Sequence, residues 1–189
     1  MKIDGNAIRP GMVIEHQGRI WYAVKIQHTQ PGKGGAYLQV ELKDVRDGTK
    51  LNERFRSSEK VERARLEQTE YQFLFSDGDI HTFMHVETYE QIALSSEIVG
   101  ESNVAFLQDG MNVMIETYED EPLGVELPAH LSLRVVEADA VVKGQTASSS
   151  FKPALLENGV KVLVPPFIES GTRIVVDTRD VSYVERAKD

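Results

Sequence analysis

The chain has 189 residues, 41% hydrophobic and 27% charged, a balance that specifies a folded globular protein rather than a disordered one. With no cysteine it can form no disulfide, thiolate nucleophile or Cys-ligated metal centre. Its formal net charge of −9 would exclude a phosphate-backbone partner if that charge were evenly spread.

The N-terminal "MKIDGNAIRPGMVIEHQGRI" lacks the apolar core of a signal peptide, and no segment reaches the length of a membrane span. A soluble, cytoplasmic protein with no membrane partner is therefore expected. The next stretch alternates like a sheet: Ile20, Tyr22, Val24 and Ile26 are expected on one strand face, and Ala36, Leu38, Val40 and Leu42 on one face of the next. Between them "QHTQPGKGG" places Lys33 at a hairpin tip. "RDGTKL" (46–51) carries an Asp-Gly turn signal before a short strand over 52–56. Short strands, many turns and little helix indicate a small SH3-like barrel, with "SSEKVERARLEQTEYQ" from position 57 as the linker that follows.

Beyond it, "ETYEQIALSSEIVG" (87–100) is the one expected helix, with Tyr89, Ile92, Ala93 and Val99 on its apolar side and Gly100 at its end. "DGMNVMI" (109–115) and "NGVKVLV" (158–164) share a turn followed by alternating apolar residues, and each precedes a further strand, "HLSLRVVEA" and "TRIVVDT". Two strand-rich units of about 60 residues suit two small OB-type barrels. The small, polar "VVKGQTASSSFKP" (141–153) is expected as a long exposed loop.

Charge is not evenly spread along this series. Residues 1–63 hold 12 Lys and Arg against 8 Asp and Glu, a net of +4. Residues 64–127 hold 1 against 14, a net of −13, and residues 128–189 hold 8 of each. One surface that meets RNA and another that faces basic protein would produce this pattern, as would a solvated acidic face kept for solubility.

Enzyme chemistry finds little footing. Gly32-Lys33 is followed by Gly34, and Gln27 stands where the first glycine of a phosphate loop belongs, so that motif fails twice. His81 and His85 lie four apart in a strand-like stretch with no third ligand beside them, and are expected as partly exposed strand histidines. "YEDEPLGVE" (118–126) has the pattern of a solvated turn, and no nucleophile or paired acid and base stands out. A Schiff-base lysine needs burial or a neighbouring cation, whereas Lys33 among glycines is a solvated cation on a stalk that can enter an anionic crevice such as RNA offers. The chain is expected to be no enzyme and to need no cofactor or metal.

"PGKGGAY" resembles the modified-lysine loop of the bacterial elongation factor P family. "DGDIHTFMHVETYEQI" (77–92) is similar too, as is "KPALLENGVKVLVPPFIESGTRIVVDTRDVSYVERAK" (152–188), so the resemblance covers essentially the whole chain. It implies an all-β protein of three small barrels in an L-shaped, tRNA-like arrangement: an SH3-like (KOW-type) domain over 1–64, an OB domain over 65–128 and another over 129–189. Archaeal and eukaryotic counterparts resemble only the first two. The family binds the 70S ribosome between the peptidyl and exit tRNA sites and promotes peptide-bond formation at consecutive prolines.

The implied partners are peptidyl-tRNA, ribosomal RNA and proteins, and a lysine-modifying enzyme, with the factor itself a monomer. Lys33 corresponds to the modified residue near the peptidyl-tRNA CCA end, and Pro31, Gly32, Gly34 and Gly35 form the loop backbone. Gly144 and Thr146, flanking Gln145, match a loop implied to touch exit-site RNA, and Tyr183 and Arg186 a Tyr-x-x-Arg beside the peptidyl-tRNA. Gln30 replaces a frequent basic residue and Gln145 a usual Asp. The rival reading is a multi-barrel RNA-binding paralogue with no role in peptide transfer.

Overall fold

In the computed structural model, which describes residues 1–140 and 150–188, alternating apolar residues build three sheets. The chain divides into two units, Met1–Gln68 with Glu116–Leu123, and Thr69–Ile115 with Gly124–Asp189.

The first unit is a six-stranded sheet in the order β1-β6-β2-β3-β4-β5. Its strands are β1 (Lys2–Asp4), β2 (Val13–His16), β3 (Arg19–Thr29), β4 (Tyr37–Asp44), β5 (Lys50–Arg56) and β6 (Lys60–Arg63). The sheet curls around Ile8, Ile14, Trp21, Ala23, Leu38, Val40, Leu42, Phe55 and Val61. Burying each large apolar side chain contributes about 1.5–3 kcal/mol. Leu38, Val40 and Leu42 of β4 face inward as the alternation requires.

β3 does not follow its expected face. The register with β4 runs Trp21↔Asp44, Ala23↔Leu42, then Lys25↔Glu41 and Ile26↔Val40, so Val24 is the extra residue of a bulge. Trp21 and Ala23 are buried while Val24 is 47% exposed, and Ile26 returns to the core side. An inserted residue shifts a period-two pattern by one, which no alternation count reveals. The expected linker is also corrected. β6 pairs with β1 and β2, so residues 60–63 belong to the barrel and only 64–66 separate β6 from β7 (Glu67–Asp77).

Glu116–Leu123 is the tip of the hairpin between β10 (Asn112–Tyr118) and β11 (Glu121–Glu126). Glu119 and Asp120 form its turn at φ 48° and 65°, in the left-handed region. The Tyr22 phenol donates to Glu116, the Tyr118 phenol donates to Glu15, and Arg46 Nη2 lies 2.8 Å from Glu121 Oε2. The expected solvated turn is thus fastened to the first unit by three polar pairs.

In the second unit one sheet has the order β11-β10-β7-β8-β9, with β8 (Ile80–His85) and β9 (Gln91–Ser95). The other has the order β14-β13-β12-β15-β16, from β12 (His130–Ala138), β13 (Lys152–Leu156), β14 (Lys161–Val164), β15 (Arg173–Asp177) and β16 (Ser182–Arg186). Numbered within its own sheet, each follows one five-stranded order: third, second, first, fourth, fifth. The duplication is therefore topological, but the sequence match that suggested it joins non-equivalent strands. "DGMNVMI" leads into the fourth strand of its sheet and "NGVKVLV" into the third. Both begin with a glycine at positive φ, Gly110 at 80° and Gly159 at 83°. Turn-then-strand is a common way to start a strand rather than a mark of ancestry.

The expected helix over 87–100 is instead a turn, then strand β9, then one short helical segment. Ile92 pairs with Phe83 and Leu94 with His81, so β8 supplies the backbone partners that a helix would have found internally. Tyr89 sits in a turn, 69% exposed at φ 61°. Only α1 (Ser96–Val99) is helical here, capped by Ser95 Oγ and ended by Gly100 at φ 97°, and α2 (Glu101–Val104) follows it. His81 also departs from expectation, being 1% exposed. Its Nδ1 lies 2.6 Å from Ser76 Oγ and its Nε2 2.8 Å from Ser96 Oγ, so both ring nitrogens are occupied within the barrel.

Hydrogen bonding to Glu15 pushes the Tyr118 phenol from its ordinary value of 10 up to about 12, and burial together with Glu116 raises Tyr22 further. A raised phenol contributes stability that is complete below about pH 10 and is lost as pH climbs through the folded-state value. Absorbance titration should show two late-ionising tyrosines, with Tyr118→Phe removing the one near 12; wild-type curves in which all six titrate together would contradict this pairing.

Candidate nucleic-acid interface

Lys33 stands where the sequence places it, at the tip of the β3–β4 hairpin, whose pairing extends to Thr29↔Tyr37. Gly32, Lys33, Gly34 and Gly35 are all exposed, with Pro31 half-buried at the loop's entry. The Lys33 ammonium has no hydrogen-bond or ion-pair partner among the described residues. Gly34 adopts φ 125°, which a side chain would resist. Gly32 and Gly35 have neither a positive φ nor any atom within 4 Å of where a Cβ would sit. The barrel itself does not demand glycine at those two positions.

The loop's base is fixed while its tip is free. Ser57 donates to the Ala36 carbonyl twice, from its backbone N–H at 3.1 Å and its hydroxyl at 2.9 Å. Ser57 lies in the turn after β5, and that turn is pressed against Gly5. Gly5 N–H donates to Glu59 O at 2.7 Å, and a Cβ on Gly5 would stand 2.3 Å from Arg56 O. Beside the loop, the Arg54 guanidinium lies 4.1 Å above the Tyr37 ring.

Register assigns the outer face of this sheet. Opposite the inward Leu38, Val40 and Leu42 lie Tyr37, Gln39, Glu41 and Lys43, paired with Arg56, Arg54, Asn52 and Lys50 of β5. On the other side Thr29, Gln27 and Lys25 of β3 complete the rows. Five cations, Lys25, Lys43, Lys50, Arg54 and Arg56, therefore share a face with the single carboxylate of Glu41. None of the five side chains forms an ion pair among the described residues, although the chain as a whole is acidic. Sequence spacing alone does not group these five, although the alternation of "YLQVELK" and "KLNERFR" carries the signal.

In the second unit, Tyr183 and Arg186 both lie on β16. Three residues apart in a regular strand, they would point to opposite faces. The register runs Val176↔Tyr183, Val175↔Glu185 and Ile174↔Arg186, leaving Val184 as a bulge and bringing both side chains to one side. Arg186 Cζ lies 4.9 Å from the Phe167 ring centroid, and Tyr183 meets Phe151 edge-on at 6.5 Å. Arg179, by contrast, is folded back on Asp177 through Nη2–Oδ2 at 2.6 Å and holds that carboxyl well below the usual range. Gly144, Gln145 and Thr146 lie outside the described residues.

The same β-architecture occurs in a solved structure titled eukaryotic translation initiation factor 5A from Methanococcus jannaschii, with a TM-score of 0.56 and 24% identity over 68% of this chain and 92% of that one. Family models match residues 4–61 as an elongation factor P KOW-like domain, 66–125 as an elongation factor P OB domain and 131–186 as elongation factor P, C-terminal. Elongation factor P models matched in this order along the chain make it a translation elongation factor. Elongation factor P of Zymomonas mobilis is 60% identical and that of Parvibaculum lavamentivorans 62%, each over 187 residues, or 99% of this chain and 100% of the relative. The chain belongs to the elongation factor P family.

Gly5→Ala should cost about 1–3 kcal/mol by overpacking against the Arg56 carbonyl. Urea unfolding followed by the single tryptophan, Trp21, buried in that barrel, checks it; an unchanged midpoint would mean the turn is not clamped by this contact.

Proposed function

We propose that this elongation factor binds the ribosome between the peptidyl and exit tRNA sites and promotes peptide-bond formation where consecutive prolines stall it. The observation that carries the reading is Lys33, an unpartnered cation on a glycine loop at the edge of a sheet face whose five cations are also unpaired. Uncompensated positive charge in a chain of net −9 calls for an anion from outside, and RNA phosphate supplies it. The working modules on this reading are residues 1–64, 65–128 and 129–189, acting as a cytoplasmic monomer.

The mechanism is positional. Prolyl acceptors are rigid, poor nucleophiles and peptidyl-prolines hold the chain badly for attack. A factor that immobilises the tRNA CCA end lowers the barrier by orienting the reactants, and orientation alone is worth as much as about 7–11 kcal/mol in favourable model systems. Lys33 needs no proton chemistry for this; its amine steadies phosphate, or carries an enzymatically added extension that reaches further. Gly32 and Gly35 let RNA approach the backbone. No group of three or more potential metal ligands occurs among the described residues.

In a purified translation system the factor should raise the yield of a reporter with three consecutive prolines and leave a proline-free control unchanged. Equal effects on both reporters would favour a general RNA-binding paralogue instead. Lys33→Ala should lower rescue at least about tenfold, roughly 1.4 kcal/mol of barrier, with folding stability within about 0.5 kcal/mol of wild type. Lys33→Arg keeps the charge but removes the modifiable amine, and is expected to lose most of the rescue. Full activity in the Arg variant would show that charge alone suffices.

Arg186→Glu should weaken ribosome co-sedimentation at low salt, the gap from wild type closing as salt rises. Binding indistinguishable from wild type across the series would remove β16 from the contact surface.

A further inference from the structure

Beside Tyr183 the second unit carries an open groove of about 400 Å³, walled by Phe151, Pro153, Leu163, Val181 and Tyr183, with Lys161 at its rim. Its apolar walls are unusually bare. Phe151 is 53% exposed and Leu163 57%, and Pro153 pairs with Leu163 so that both stand on the outer side of the β13–β14 hairpin. Ala154 and Val162, the alternate pair of that hairpin, are buried in the core. The exposed pair is thus surplus to the core that the hairpin closes. Lys161 is the one charged residue among the lining side chains, and neither its ammonium nor the Tyr183 phenol has a hydrogen-bond partner among the described residues. Phe151 meets Tyr183 at an interplanar angle of 90°, so two aromatic surfaces border the same opening.

We propose that this groove holds one unpaired nucleotide of an RNA strand, its base against Phe151 and Tyr183 and its phosphate at Lys161. A flat apolar body joined to an anion satisfies both the bare walls and the single uncompensated cation. A peptide that extended the sheet would bond to the backbone edge of β14 or β16, which no strand pairs, and would not cover the outer face on which Pro153 and Leu163 stand. Lys152 is not available as a second cation, because its ammonium donates to the Asp139 carbonyl at 2.5 Å. The source of the RNA rests on the ribosomal reading above; the chemistry of the groove does not.

The test uses the full-length protein and a single-stranded hexauridylate carrying one 4-thiouridine, irradiated and mapped by mass spectrometry. The cross-link should fall on the peptides bearing Phe151 or Tyr183, and a duplex of the same strand should give none, its bases being stacked away. Phe151→Ala and Leu163→Ser, both at exposed positions, should each lower the yield about tenfold. Lys161→Glu should do the same at low salt and less at high salt. Equal yields in all variants, or cross-links scattered outside the groove, would overturn the proposal. So would p-benzoylphenylalanine in place of Leu163 labelling a ribosomal protein rather than RNA in factor–ribosome complexes. The triple-proline reporter separates the two ideas. Rescue without the cross-link sinks the groove and keeps the factor, and the cross-link without rescue does the reverse.

Discussion

The lysine loop depends on a contact in which two stretches of backbone come closer than any side chain permits. Gly5 packs against the Arg56 carbonyl and donates to Glu59, which holds the turn after β5 against the start of the chain. From that turn Ser57 grips Ala36 with two hydrogen bonds, and Ala36 is where the loop re-enters β4. Everything between Thr29 and Ala36 can then stay free of intramolecular bonds without the hairpin drifting. A tip without internal hydrogen bonds on a hydrogen-bonded base combines reach with a fixed origin.

Electrostatics divide in a corresponding way. Within the first unit, carboxylates are used where they fasten structure: Asp44 accepts from Arg46 and Asp47 at the β4–β5 turn and lies 2.7 Å from Arg19, while Glu15, Glu116 and Glu121 secure the hairpin tip. The outer face of β3–β5 receives none of these acids apart from Glu41. Surface ion pairs of this kind are worth little individually, roughly 0–1 kcal/mol, so leaving five cations unpaired costs the fold almost nothing. It leaves their charge wholly available to an outside anion.

Several features were legible in the residues because they follow from local chemistry. The Pro and Gly cluster around Lys33 made a hairpin tip, the Asp-Gly at 47–48 made a turn, and Gly100 ended a helix, since each relies on backbone preferences that travel with the residue. Misreadings arose where pairing with a distant strand outweighed the local pattern. The stretch 91–95 has helical spacing, yet β8 lies beside it and offers a ladder. His81 looks half-solvated until Ser76 of β7 and Ser96 of α1 arrive to satisfy both nitrogens.

The sequence by itself determined an all-β chain without cysteine chemistry, the place of Lys33 on its loop, and the family, because alternation, turn residues and motif order are properties of neighbours along the chain. Tertiary structure alone decided which side chains share a surface. The bulge at Val24 chose the inward residues of β3, the bulge at Val184 put Tyr183 and Arg186 on one side, and the register of β3, β4 and β5 gathered five separate cations into one face. The physical reason is that a strand's side chains alternate with a period of two. One inserted residue, invisible to composition and spacing, reverses every assignment beyond it, and only the hydrogen bonds to the partner strand record where that insertion falls.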